Sequence, residues 1–559
     1  MFPQGFCSAG FILLGLFAVT RSLGPEVETT HGRIRGSVTD GGNVFRGVPY
    51  AMAPVGLLRW EPPQALPSWR HEGVKDTVDD PPACPQVNCE RANPPLVCPT
   101  KTSEDCLFLT IYTPLGVGNG SDLPVMAYLH GGNFFYMDGN SPLFDGGMLT
   151  QRGNVIQVNI NYRLGALGFL VTGSGDYDAQ GNFGLQDQLM ALAWIRDNIR
   201  GFGGDPTKVT LFGQSAGAQS ALVHLTSEQS APLFRAAILE STPIALPYKT
   251  FTEAFVLGGL FAQKLGCPVT DIKCMRSKTA EEVAKASYMS RSSVASLKIL
   301  EMFEPYGPYI DGKLVKGQPL DVITRGNFTT KPVMIGTTTE ETVLYVYGAF
   351  NKTVHVQEYL ALVAGLNPQS APRILEQYPP SLYPSDQREV LVKLSTDLIF
   401  ACSTRNLSRT LLAQGLNNAW LYVWDHALSF KGWGPLTWCE GRVCHGSEIA
   451  FVFDSAHLAN FSVSPEEEIL SGDVIAYWTN FAWSGNPNYS TPPKPEDLSS
   501  RASAPQRKLR LREDNKWPAY SKSSNWTALR FKTPASELVQ NYKGDDCGFW
   551  DTISYSALH

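Results

Sequence analysis

The sequence predicts an α/β protein built on a mostly parallel sheet, and three observations carry that expectation. Short apolar runs alternate with helical stretches, a glycine-flanked serine sits between one such run and a helix, and no internal repeat or composition break divides the 559 residues. Strands separated by helices at this spacing form a sheet covered on both faces. Hydrophobic residues, at 43%, supply the apolar surface for a large core.

The elements follow in order. The apolar stretch Phe6 to Val19 is short for a bilayer span and suits a signal peptide, although no basic residue precedes it. Residues 1–24 are therefore read as a signal cleaved between Thr20 and Gly24, and 25–559 as one domain. His31 to Ser37 and Val44 to Tyr50 read as short strands, and Leu107 to Tyr112 alternates apolar and polar residues as a strand does. Val125 to Leu129 is a buried strand ending in His130-Gly131-Gly132-Asn133-Phe134, a turn suited to presenting backbone N–H groups to an oxyanion. Val155 to Asn161 is the next strand. Leu185, Leu189, Leu192, Ile195 and Ile199 recur at helical spacing, and Phe202-Gly203-Gly204-Asp205-Pro206 stops that helix. Val209 to Phe212, Ala236 to Leu239, Pro332 to Ile335 and Ala419 to Trp424 supply further strands.

Composition excludes some classes of function. A formal net charge of -6 argues against a nucleic-acid partner. The run Arg507-Lys508-Leu509-Arg510-Leu511-Arg512, after the Pro/Ser-rich stretch Ser490 to Pro505, reads as a solvated loop and strand edge. No second long apolar run appears and Gly548 to His559 carries no lipid-anchor or retention signal, so no transmembrane anchor beyond the signal is expected. Secretion has independent support in seven N-x-S/T sequons, at Asn119, Asn327, Asn351, Asn406, Asn460, Asn488 and Asn525. Of eleven cysteines, Cys7 falls in the signal and ten remain, an even number suited to an oxidising compartment. They do not have zinc-ligand spacing, so no metal is expected.

Gly213-Gln214-Ser215-Ala216-Gly217 is the candidate centre of the chemistry. A G-x-S-x-G between strand and helix works as a nucleophile elbow: the turn is too tight for a Cβ at either glycine and lifts the serine clear of the sheet. A serine hydroxyl attacks only when a histidine takes its proton and an acid orients that histidine. In this architecture the acid and then the histidine follow the serine. Ile335-Gly336-Thr337-Thr338-Thr339-Glu340-Glu341 places two adjacent carboxylates past a strand, and spacing does not choose between them. Downstream histidines are His355, His426, His445, His457 and His559; His355 reads as helical and His559 is near the end, while His426 and His445 remain rivals.

Several motifs in the same order carry a resemblance. Ser103-Glu104-Asp105-Cys106-Leu107, the run Gly181-Asn182-Phe183-Gly184-Leu185-Gln186-Asp187-Gln188, the elbow, and Cys444-His445-Gly446-Ser447-Glu448-Ile449 resemble the type-B carboxylesterase and cholinesterase-like family, from about His31 to Cys547-Gly548-Phe549-Trp550. The resemblance implies the α/β-hydrolase fold, with Ser215 as nucleophile, Glu341 as acid, His445 as base, and the amides of Gly132, Asn133 and Ala216 as oxyanion donors. It also implies disulfides Cys84–Cys106, Cys267–Cys274 and Cys402–Cys547, and an ion pair between Arg59 and Glu104. Cys89–Cys98 and Cys439–Cys444 are inferred from the cysteines that remain.

Three departures bear on substrate. Asn133 stands where the family commonly has a third glycine, which narrows the oxyanion loop. Gln214 stands where cholinesterases carry Glu. The loop from Cys84 to Cys106 lacks the tryptophan with which cholinesterases hold a quaternary ammonium. The last two point away from choline esters, and the expectation is a secreted serine esterase for uncharged esters, needing no cofactor. One alternative is a lipase using Phe134, Phe135, Met302, Phe303 and Tyr306 to line an acyl gorge. Another is a non-catalytic binding protein of the neuroligin-like kind, although such relatives typically lack a triad member and this chain has all three.

Overall fold

The strand Leu123–Leu129 is buried along its whole length, which is the mark of a central strand covered on both faces. Its side chains divide by parity. Val125, Ala127 and Leu129 join the core formed with Ala218, Leu222 and Val223 of the elbow helix Ala216–Thr226. Met126 and Tyr128 join another core with Val474, Trp478 and Phe481 of the helix Pro465–Ser484. Burying each large apolar side chain in these layers contributes about 1.5–3 kcal/mol.

This computed structural model describes residues 24–291, 304–488, 516–553 and 555. The apolar stretch Phe6 to Val19, Cys7, the basic run Arg507 to Arg512, and Met302 and Phe303 lie outside the described residues. In chain order the strands are β1 (Glu26–Glu28), β2 (Arg33–Arg35), β3 (Ser37–Thr39), β4 (Gly42–Pro49), β5 (Lys75–Asp76), β6 (Phe108–Thr113), β7 (Leu123–Leu129), β8 (Ile156–Ile160), β9 (Gly204–Gln214), β10 (Ala236–Glu240), β11 (Val333–Thr338), β12 (Ala419–Trp424), β13 (Thr527–Phe531) and β14 (Glu537–Gln540). β1, β2 and β5 form a small sheet, and the rest form one large sheet in the order β14-β13-β12-β11-β10-β9-β7-β8-β6-β4-β3. From β8 through β13 every pairing is parallel. The flanking pairs β13 with β14, β8 with β6, β6 with β4 and β4 with β3 are antiparallel.

The helix expected from Leu185 to Ile199 spans Phe183–Asn198, and residues 199–202 continue it as a tighter turn. Gly203, at φ 88°, then reverses the chain into β9, where only a residue without Cβ is at ease. The helix Pro465–Ser484 is framed by a capping box between Ser464 and Glu467, a proline in its first turn and Gly485 at its end. His355 does not lie within a helix but caps the one at Val356–Leu366.

Five disulfides join Cys84 to Cys106, Cys89 to Cys98, Cys267 to Cys274, Cys402 to Cys547 and Cys439 to Cys444. Arg59 and Glu104 form a two-pronged ion pair, with both N···O distances 2.6 Å. A second such pair, Arg163 with Asp187 at 2.8 and 2.7 Å, is more deeply buried and ties the loop after β8 to the helix Phe183–Asn198. Among the sequon asparagines, Asn119, Asn327, Asn351, Asn460 and Asn525 are exposed. Asn406 and Asn488 are half-buried, and the Asn488 side chain exchanges two 2.7 Å hydrogen bonds with the backbone of Trp517.

Candidate functional site

Ser215 caps the elbow helix with φ 58° and ψ -124°, a conformation an L-residue holds only at a cost of about 1–3 kcal/mol. The two glycines explain how the turn closes. A Cβ on Gly213 would lie 2.6 Å from the Leu129 carbonyl oxygen and 2.6 Å from the Gly217 carbonyl carbon, and one on Gly217 would lie 1.9 Å from the Leu129 oxygen. The elbow therefore presses its backbone against the end of β7, the strand that leads into His130-Gly131-Gly132-Asn133. A Cβ on Gly131 would fall 3.1 Å from Ser215 Cβ, so this second loop runs directly beside the serine. Asn133 (φ 55°) and Phe134 (φ 54°) both adopt left-handed conformations there. Asparagine tolerates that region; a bulky phenylalanine does so under strain.

The adjacent carboxylates part company. Glu341 is fully buried, accepts a 2.7 Å bond from the Thr338 amide, and meets His445 Nδ1 at 2.5 Å. Glu340 instead accepts from Arg442 at 2.6 Å and from the Val443 amide at 2.8 Å. The rival histidine is structural. His426 sits 2.9 Å from Glu467 and 3.1 Å from Thr533, bridging the Pro465–Ser484 helix and the segment after β13. His445 follows the Cys439–Cys444 loop, and the rings of Tyr345 and Phe400 pack on it at 5.4 and 5.2 Å. With Nδ1 directed to Glu341, Nε2 is left as the acceptor a base requires.

Two contacts on the serine and histidine were invisible in the motif. The Gln214 side-chain amide lies 3.0 Å from His445 Nε2, and the Ser215 side chain acts on the phenol of neighbouring Tyr345. Among the described residues no hydrogen bond joins Ser215 to His445, whose Nε2 is occupied by the Gln214 amide. Tyr345 lies four residues after Glu341, near the start of the helix Val343–Ala349, and its hydroxyl is 3.5 Å from Asn133 Oδ1. Of the gorge candidates, Phe134, Phe135 and Tyr306 are buried in the core shared with the elbow helix.

Beneath the serine the protein holds further acids. Glu240, at the end of β10, offers its carbonyl to the Ser215 amide at 2.9 Å and its carboxyl to Trp478 at 2.6 Å. Burial pushes its carboxyl from 4.5 up to about 8. Glu448, three residues past His445, is raised well above the carboxylate range by burial, then by Glu341 and Glu240. Glu240 thus keeps its proton in the folded protein after the unfolded chain has released it, so stability falls as pH rises from about 4.5 to about 8. Glu240→Gln, neutral throughout, is expected to raise Tm relative to the parent by more at about pH 8.5 than at about pH 5. Thermal unfolding at the two pH values checks this. Among the described residues no group of three or more His, Cys, Asp or Glu could hold a metal ion.

The sequence pattern of the Carboxylesterase family matches residues 24–550. This chain belongs to the carboxylesterase family. The carboxylesterase-family chain is 36% identical over 542 residues to the crystal protein of Dictyostelium discoideum, covering 96% of this chain and 92% of that protein. It is 29% identical over 610 residues to neuroligin-2 of Mus musculus, covering 96% of this chain and 68% of that one. Among solved structures, a PNB esterase superposes with a TM-score of 0.75 at 30% identity, over 93% of this chain and 99% of the esterase. The large, mostly parallel sheet described above is therefore the α/β-hydrolase fold.

Proposed function

We propose that the protein is a secreted serine esterase that hydrolyses uncharged carboxylic esters through an acyl-enzyme. The observation that carries this reading is the strained Ser215 elbow at the end of β9, directly after Gln214, whose amide reaches a His445 already paired to buried Glu341. Ser215 Oγ attacks the ester carbonyl while His445 Nε2 takes its proton. The oxyanion is received by the amides of Gly132, Asn133 and Ala216, and His445 returns the proton to the departing alcohol. Water activated by the same histidine then cleaves the acyl-serine. Residues 1–24 would be removed as a signal, residues 25–559 would act as one domain, and the exposed sequons would carry glycans. Among the described residues no helix is long and apolar enough to cross a membrane.

The test is turnover of nitrophenyl esters of increasing acyl length, with an organophosphate as a stoichiometric probe of Ser215. Turnover silenced by one phosphoryl group per chain supports the proposal; inertness toward every ester would sink it. A lipase would keep its activity as acyl chains pass medium length, whereas an esterase of short acids would lose it. One observation favours a second, non-catalytic reading: among the described residues the Gln214 amide, and not Ser215, is hydrogen-bonded to His445. Absence of phosphorylation would support that reading.

Because His445 must be neutral to accept the serine proton, the rate is expected to fall as pH drops from about 8 to about 5. A profile flat over that interval would argue against a histidine base.

A further inference from the structure

One turn along the elbow helix from Ser215, the Gln219 amide nitrogen donates 2.9 Å to the carboxylate of Glu304. Both side chains are buried, at 1% and 7% exposure. The Gln219 backbone amide bonds the Ser215 carbonyl at 2.9 Å, so the pair lies roughly 6 Å along the helix axis from the nucleophile. Phe134, of the Gly-Gly-Asn loop, flanks the same spot. A Cβ added at Gly307 would stand 3.1 Å from the Phe134 ring and 3.5 Å from Glu304 Cγ. Glu304 also acts electrostatically on the phenol of Tyr345, whose hydroxyl is 3.5 Å from Asn133 Oδ1.

The pair has acceptors to spare. Gln219 Oε1 is buried and, among the described residues, has no hydrogen-bond partner. Lys249 spends a hydrogen bond on the Glu304 main-chain carbonyl at 2.8 Å, and its charge is a lesser influence on a carboxyl that burial pushes up to about 7. A buried carboxyl and an orphaned amide oxygen cost free energy that a core of apolar residues would avoid. A donor from outside would satisfy that amide oxygen beside the carboxyl.

The position also has a side. Glu341, Gln214 and Phe400 surround His445, which must reach the departing alcohol. Gln219 stands on the elbow helix and Glu304 beside Phe134, which follows Asn133, on elements other than those that surround His445. We infer that Glu304 and Gln219 form a specificity site for an acyl group bearing a hydrogen-bond donor, a hydroxyl or an amine, a few bonds from the ester carbonyl. This rests on the esterase reading and names its substrate class.

The test compares nitrophenyl esters of butanoic, 3-methylbutanoic, 3-hydroxybutanoic and 3-aminobutanoic acid, on the parent, Glu304→Gln, Glu304→Leu and Gln219→Leu, with Tm recorded for each. The parent is expected to favour a donor-bearing ester over 3-methylbutanoate by about tenfold or more in kcat/KM. That preference should vanish in Glu304→Leu. A hydroxyl preference should survive in Glu304→Gln, whose amide oxygen still accepts, whereas an ammonium preference should not. Equal rates for all four esters in the parent, or a preference retained in Glu304→Leu, would overturn the inference. Binding to Ser215→Ala, read as the rise in Tm with the ethyl esters of the same acids, tests the site without turnover. A larger rise with a donor-bearing ester than with ethyl butanoate supports it even if the esterase reading fails, and equal rises refute it.

Discussion

Ser215→Ala is expected to lower kcat for nitrophenyl esters by about a millionfold, to the level that bound water alone achieves. The size follows from how the triad works as a unit: without the hydroxyl, His445 has no proton to accept and Glu341 no imidazolium to stabilise, so their contributions go with it. The same position makes a second, opposite prediction for stability. Alanine keeps a Cβ at φ 58° and should leave Tm nearly unchanged, whereas Ser215→Gly removes it and should stabilise the fold by about 1 kcal/mol. A pair of variants equally inactive, one as stable as the parent and the other more so, would mark the strained turn as a feature retained for chemistry. Kinetics with an active-site titrant and thermal unfolding measure both. An alanine variant that still turned over and still took up an organophosphate would place the nucleophile elsewhere.

The sheet was legible because its central strands are apolar on both faces and each is followed by a glycine or polar turn. Val125 to Leu129, Ala236 to Leu239 and Ala419 to Trp424 match β7, β10 and β12 to within two residues at their ends. β9 begins five residues before the apolar run at Val209, because Gly204 pairs with Leu123 ahead of an irregularity in register that the little apolar signal of Gly204 to Lys208 does not reveal. The choice between His426 and His445 could not be read locally, since both follow β12. What separates them is Glu467, which belongs to a helix 41 residues beyond His426 and occupies its ring. Glu304, Gln219 and Tyr345 carried no motif at all. Tyr345 offered one clue, its spacing of four from Glu341 at a helix start, whereas the meeting of Gln219 with Glu304 spans 85 residues and exists only once the chain is folded. The Arg163–Asp187 pair escaped for the same reason.

Glu340 and Glu341 provide the sharpest contrast between neighbouring residues of one chemistry. Glu341→Gln is expected to lower kcat by about 10⁴-fold with little change in KM. The amide cannot accept the Nδ1 proton through its nitrogen, so the imidazole is stabilised with the proton on Nε2, the face that should receive it from Ser215. Glutamine is nearly the same size, and the Thr338 amide can still donate to its oxygen, so the fold should persist. Glu340→Gln removes a charge from the network in which Arg442 is shared between Glu340 and Glu389, and frees no group at the serine. That variant should keep its kcat within about twofold and lose about 1–3 kcal/mol of stability, since half-buried Arg442 would lose one of its two carboxylate partners. Measuring kcat and Tm for both assigns each carboxylate its task. Should the larger loss of activity fall on Glu340→Gln instead, the 2.5 Å contact between Glu341 and His445 would have to be structural, and the orienting acid would be the one now paired with Arg442.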